Sequence, residues 1–251
     1  MNPVLTLSPP GRRQLCAAAL AGGLLGLQPG RLGAAPADYS AAERALFMSP
    51  HLAGLPLPST LHYAFRKAGS AEPGFEDQVN VLVSAGRGGA CCRARAEFLS
   101  GSRRQAMPEV EAAQGNPVLM YFLEHDVREM QRLTAGSADH FRRRIRLALA
   151  AVSTLVDLKL SYLGQAIGGQ EVQVSPYLDD PNRPRFERYA RKAYRFLLSD
   201  SVPGGVFGVG TRVDGPGQDA TPLIVEELTI AGGQILSPGP AVRGVRTSAV
   251  R

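Results

Sequence analysis

The chain has 251 residues, 44% of them apolar, no tryptophan and a formal net charge of +6, so it can bury a core as one large domain or two small ones. Arg12, Arg13 and Arg31 in residues 1–37 and Arg243, Arg246 and Arg251 in residues 235–251 are the whole excess of charge, and neither end contains an acid. The part between is formally neutral, which removes the support that basicity would give to a nucleic-acid partner.

Residues 1–37 have the order of an export signal: Arg12-Arg13, a short apolar run from Leu15 to Leu27, and the small-residue site Ala35-Pro36-Ala37 ahead of Asp38. The run is shorter than the roughly 18 residues of a membrane-spanning helix, so no transmembrane anchor is expected in the mature chain. Arg12-Arg13-Gln14-Leu15 resembles a twin-arginine signal, and paired arginines also occur in general secretory signals, so both routes stay open. Cys16 begins the apolar run, whereas a lipidated cysteine would end it. The expected product is periplasmic or secreted, with Cys91 and Cys92 its remaining cysteines. Adjacent on a strand, these two point to opposite faces as small residues, form a vicinal disulfide, or pair between chains. No Cys/His spacing suggests zinc, and no cofactor is expected.

From Asp38 onward, Ser40 and Glu43 have capping-box spacing at the start of a short helix, and Pro50, Pro56 and Pro58 extend the chain after it. Leu61, Tyr63 and Phe65 alternate with polar or small neighbours. Val79, Val81 and Val83 alternate with Asn80, Leu82 and Ser84, and then Ala94, Ala96 and Phe98 with Arg93, Arg95 and Glu97, which predicts an antiparallel meander. Residues 102–114 are polar and read as a loop. From Asn116 to Val152 the period becomes helical. Asn116 is a cap with Pro117 in the first position, and Val118 to Leu123 is unbroken apolar sequence expected to be buried on all sides. Leu123, Val127 and Met130 then share one face. Thr134-Ala135-Gly136 stops the helix, with Gly136 as the left-handed residue. A second helix carries Phe141, Ile145, Leu149 and Val152 on one side.

Alternation returns over 156–162, 171–175, 194–198, 207–213 and 224–230. Residues 164–169 read as a connection, Asp179-Asp180-Pro181-Asn182 as a turn and 184–191 as a short helix. From Gly232 onward Gly, Pro and Arg without a period predict a disordered tail, residues 235–251. Strands, two helices and more strands do not alternate as a doubly wound fold requires. The expected fold is α+β, a curved antiparallel β-sheet with a helical hairpin packed on one face, as a single domain over 38–234.

The densest cluster of reactive side chains is Glu124-His125-Asp126 with Glu129. On a helix His125 and Glu129 are four apart and share a face, suited to a metal or to a carboxylate-oriented base, while Glu124–Arg128 and Glu129–Arg132 have ion-pair spacing. No second histidine lies four residues from His125, so a zincin is excluded. His62 lies on the polar face of a predicted strand, and His51 and His140 lack context. Arg142, Arg143, Arg144 and Arg146 wrap around their helix and make no single patch. Nucleophile-elbow, phosphate-loop and C-x-x-C motifs are absent, and Gly205 to Gly210 reads as a bulge or a close backbone approach.

Gly115-Asn116-Pro117 through Phe122-Leu123-Glu124, Asp126 to Met130, Phe75-Glu76-Asp77 and Val202-Pro203-Gly204 resemble segments of uncharacterised exported bacterial proteins, a resemblance that implies no activity. The strand order is similar to the lipoprotein-carrier type of fold, in which a curved sheet and helices enclose an apolar cavity. That similarity implies a periplasmic binding or carrier protein for an apolar or amphipathic ligand such as a lipid, lined by Tyr63, Phe65, Met120, Phe122, Leu160 and Tyr162. The rivals are a hydrolase or metal-dependent enzyme using Glu124, His125, Asp126 and His62, and an accessory subunit of an exported complex.

Overall fold

The computed structural model of the chain describes residues 39–89, 91–217 and 220–236; the expected export signal and most of the expected tail lie outside them. The described residues form nine strands and three helices: α1 (Ala41–Glu43, continued by a wider turn over Arg44–Met48), β1 (Ser59–Ala68), β2 (Phe75–Ala85), β3 (Cys91–Phe98), α2 (Val118–Thr134), α3 (Ala138–Ala150), β4 (Val156–Tyr162), β5 (Gln165–Val174), β6 (Ala193–Leu198), β7 (Val206–Val213), β8 (Ile224–Ile230) and β9 (Gly233–Ile235). The strands make one antiparallel sheet in the order β3-β2-β1-β8-β7-β6-β5-β4-β9. Two meanders, β1–β3 and β4–β8, are linked by the α2–α3 hairpin, and β8 joins them by pairing with β1. β9 follows β8 after two residues yet pairs with β4 at the far edge, so the sheet curves until the start of β9 lies beside β4.

The α+β class and the curved sheet are as the periodicity predicts. The phase of alternation puts Leu61, Tyr63 and Phe65 of β1 and Val79, Val81 and Val83 of β2 in the core, with Val127 and Met130 of α2 and Phe141, Ile145 and Leu149 of α3. Removing each such side chain from water contributes about 1.5–3 kcal/mol. The hairpin is fixed at three points. Asn116 Oδ1 accepts from Val118 N–H at 3.1 Å, capping α2. Its Nδ2 donates to Tyr63 Oη at 2.8 Å and to the Gly204 carbonyl at 2.9 Å. The Ser40–Glu43 capping box is formed, and Ser40 Oγ also donates to the Leu149 carbonyl at 2.9 Å, tying α1 to the end of α3.

Several local expectations are corrected. Met120 is 56% exposed, so the first turns of α2 are not buried all round: one position in the apolar run faces water. Ala135, not Gly136, takes the left-handed C-cap (φ 53°); Gly136 is held close to Phe141, whose ring atoms stand 2.7 Å from where a Cβ would be. The connection expected over 164–169 is only Leu163-Gly164, both with positive φ as a tight hairpin turn requires, so β5 starts at Gln165. The short helix expected at 184–191 is two single 3-10 turns. β9 occupies the start of the expected tail. Cys91 and Cys92 form a vicinal disulfide, Cys91 exposed and Cys92 buried, in place of two free side chains on opposite faces. Among the described residues no helix is long and apolar enough to cross a membrane.

Candidate functional site

Strand register brings a row of polar side chains together beneath α2. Lys67 on β1 pairs with Glu226 on β8, Glu226 with Thr211 on β7, and Thr211 with Tyr194 on β6. Two residues along each strand the same face is apolar throughout: Phe65, Leu228, Val209 and Phe196. The row is therefore a polar rung set on an apolar floor, and every member is buried.

Asp126 of α2 descends onto it. Its carboxylate pairs with Lys192, accepts from Tyr194 Oη at 2.5 Å and from Thr211 Oγ1 at 3.4 Å, and Tyr177 Oη lies 2.8 Å from Tyr194 Oη. Lys67 Nζ stands 3.0 Å from each of Glu72, Glu129 and Glu226, and Arg132 closes the outer end on Glu72 and Glu129. Burial works against the Lys67 ammonium, but Glu226, Glu129 and Glu72 outweigh it and raise its pKa. Burial and the Asp126 carboxylate push the Tyr194 phenol far up.

His125 points elsewhere than its neighbour Asp126. Its ring sits among Phe65, Phe98 and Phe122 at 5.5, 5.2 and 6.2 Å, with Nε2 3.3 Å from Glu226 Oε2. That contact, like the one from Lys67 to Glu226, has ion-pair distance without hydrogen-bond alignment, so both ring nitrogens and both Glu226 oxygens lack a formal hydrogen bond. A slight rotation of the His125 ring would align Nε2 with Glu226 and satisfy both groups within the buried site.

Of the reactive residues singled out in the sequence, Asp126, His125 and Glu129 belong to this network. Glu124 does not; it pairs at the surface with Arg128 and Arg142. His62 is on the opposite face of the sheet, where Nδ1 bonds Asn80 Oδ1 at 2.9 Å, so it does not converge with His125 and Asp126. Among the described residues no group of three or more His, Cys, Asp or Glu is placed to hold a metal ion. His140 and Arg144 hold Asp180, buried in what the sequence shows only as a turn. Of the residues expected to line a ligand cavity, Tyr63, Phe65, Phe122 and Leu160 are buried in the packed core, Tyr162 is half-buried and Met120 faces water.

An open cavity of about 750 Å³ lies instead beside α1, over β4, β5 and the end of β6. His51, Asp157, Lys159, Gln170, Ser199 and Asp200 supply its polar groups, and Gly168, Gly169 and Gly205 keep part of its wall free of side chains. His51 is fixed there: Nδ1 accepts from Asn116 N–H at 3.2 Å and Nε2 faces the Ala45 carbonyl at 2.9 Å, which sets the tautomer with the proton on Nε2. Burial lowers its pKa against the opposing effects of Ala45 and Asp200, so it stays neutral at pH 7. This groove is assembled from three distant segments and has no signature in the sequence, and Lys67 and Glu226 are not among the residues expected to be functional. Both of these stand in the apolar phase of a strand, and that misplacement was the available signal.

Glu226 gives the network a pH dependence. Burial alone would raise its pKa; the His125 imidazole, Lys192 and Lys67 more than offset that and hold it at about 2, against an ordinary 4.5. A depressed carboxyl pKa stabilises the fold fully above the unfolded value, and the contribution is lost as pH falls from about 4.5 towards about 2. The difference amounts to roughly 3 kcal/mol. Urea melts of Glu226→Gln and the parent should differ most near pH 6 and converge as pH approaches 2. A difference that stays constant with pH would contradict this assignment.

Comparison with known proteins gives no matching family model and no significantly similar curated protein.

Proposed function

We propose that the chain is an exported binding protein, not an enzyme, and that its ligand is a small polar molecule held in the groove beside α1. The observation that carries this reading is the groove itself. It is open and lined by Asp157, Asp200, Lys159, Gln170 and Ser199 beside a wall of glycines, with Gln170 bonded to Asp157 and Ser199 to the Gly168 carbonyl. Small polar solutes are recognised by a few convergent hydrogen-bonding groups on a pre-formed surface. The space between hairpin and sheet offers less: an apolar or lipid ligand would have to displace Tyr63, Phe65 and Phe122 from the packed core. Catalysis by His125 and Asp126 would need substrate to reach side chains that are 3% and 0% exposed. Export draws support from the signal-like order of residues 1–37 and from the Cys91–Cys92 disulfide, which suits an oxidising compartment.

Gly168 provides the test. An added Cβ there meets nothing within 4 Å, so Gly168→Phe fills the groove without disturbing the sheet. Native mass spectrometry of the protein taken from its own cell envelope should show a small polar molecule on the parent, released on unfolding, and none on the folded variant. Equal occupancy in both, or none in either, would count against the groove.

A further inference from the structure

The face of β1, β2 and β3 turned away from the helices carries a second cavity, of about 470 Å³. Register places Thr60, Leu82 and Arg95 on one rung across it and Ser84 beside Arg93 on the next. Leu82 gives it an apolar base, while Thr60 and Ser84 bring hydroxyl groups. Arg93 pairs with Glu109, which reaches over from the loop after β3. Arg95 forms no ion pair among the described residues. Its own strand neighbour Glu97 is engaged elsewhere, accepting from Asn80 Nδ2 at 3.3 Å, and Asn80 in turn bonds His62. Glu97 is thus oriented along the row His62–Asn80–Glu97 and makes no ion pair with Arg95. Two guanidiniums and one carboxylate, Glu109, line the cavity; Glu111 also acts on Arg93 and pairs with Arg87, so Arg95 is the lining cation without an ion-pair partner among the described residues.

We propose that this cavity binds the oxyanion head of a small ligand, a carboxylate or a phosphate or sulfate ester, with Arg95 as the principal donor and Leu82 contacting the adjoining apolar part. A planar guanidinium donates two parallel hydrogen bonds to such a head, and the Thr60 and Ser84 hydroxyls add neutral donors beside it. Arg93 remains paired with Glu109 and shapes the rim. The site lies on the opposite face of the sheet from the groove beside α1 and stands or falls independently of it.

Amide chemical-shift titration of the parent with sodium phosphate, sodium sulfate and sodium acetate, at constant ionic strength, tests the assignment. At least one of these anions should give saturable shifts centred on Thr60, Ser84 and Arg95, and the tightest one tells a tetrahedral ester head from a carboxylate. Arg95→Gln should weaken that binding about tenfold or more, the effect of losing a charge-assisted hydrogen bond. Arg66→Gln, which removes an exposed cation from the same face, should leave it unchanged. Unsaturable shifts with all three anions, or equal weakening in both variants, would overturn the site as general attraction to surface charge.

Discussion

Asp126→Ala is expected to destabilise the protein by about 3–5 kcal/mol, because it leaves a buried cation without its partner. The substitution strands the Lys192 ammonium, which is 1% exposed, and takes the acceptor away from Tyr194 Oη and Thr211 Oγ1. The size of that loss does not mean that the pair is strongly stabilising. Bringing two ions out of water costs nearly what their attraction returns, so replacing both partners together by apolar residues of similar volume is often neutral. Asp126→Leu combined with Lys192→Met should therefore recover the part of the loss that comes from the stranded ammonium, while the Tyr194 and Thr211 hydroxyls stay without that acceptor. Glu124→Ala, one position before His125 but paired only at the surface, should cost within about 1 kcal/mol. Urea denaturation at pH 7 of these three variants checks the whole set. An Asp126→Ala effect as small as that of Glu124→Ala would mean that water reaches Lys192.

Phe122→Ala should cost a similar amount, roughly 3–5 kcal/mol, by a different route. Phe122 is fully buried on α2, against the ring of His125 and the core beneath it. Truncation loses the transfer free energy of the ring and leaves a cavity that the antiparallel sheet on one side and the helix backbone on the other cannot collapse to fill. Met120→Ala, two residues away and exposed, should change stability by no more than about 0.5 kcal/mol. The contrast between these neighbours measures how sharply the hairpin divides core from solvent. Equal small losses in both would show that Phe122 borders an existing void.

The strands and the hairpin could be read from the sequence because each repeats its period over several residues. Leu61 to Phe65, Val79 to Val83 and Ile224 to Ile230 alternate, and Phe141, Ile145 and Leu149 recur at helical spacing, so local chemistry alone determines their buried faces. The sequence misled where one residue broke with its surroundings. Met120 sits in an unbroken apolar run, yet the helix has a solvent side there. Leu163 takes a left-handed conformation that sequence assigns to glycine, and it shortens a predicted loop to two residues. The polar rung was harder to foresee, since its members come from β1, β6, β7 and β8 and meet only through strand register, with Asp126 of α2 packed on top. Glu226 and Lys67 did announce themselves as charges in apolar positions. Lys192, just ahead of β6, carried no such mark. The groove beside α1 is a matter of which part of the sheet the hairpin leaves uncovered, and no local pattern encodes that.

The space between hairpin and sheet is filled by aromatic packing and a polar rung, which leaves a ligand only the surface outside it. Fluorescence titration of the folded parent protein with a fluorescent fatty acid tests this most directly. No saturable uptake is expected, and the probe should respond only once the protein is unfolded. Stoichiometric, saturable uptake by the folded parent, abolished in Phe122→Ala, would contradict it and restore the enclosed apolar site between sheet and helices.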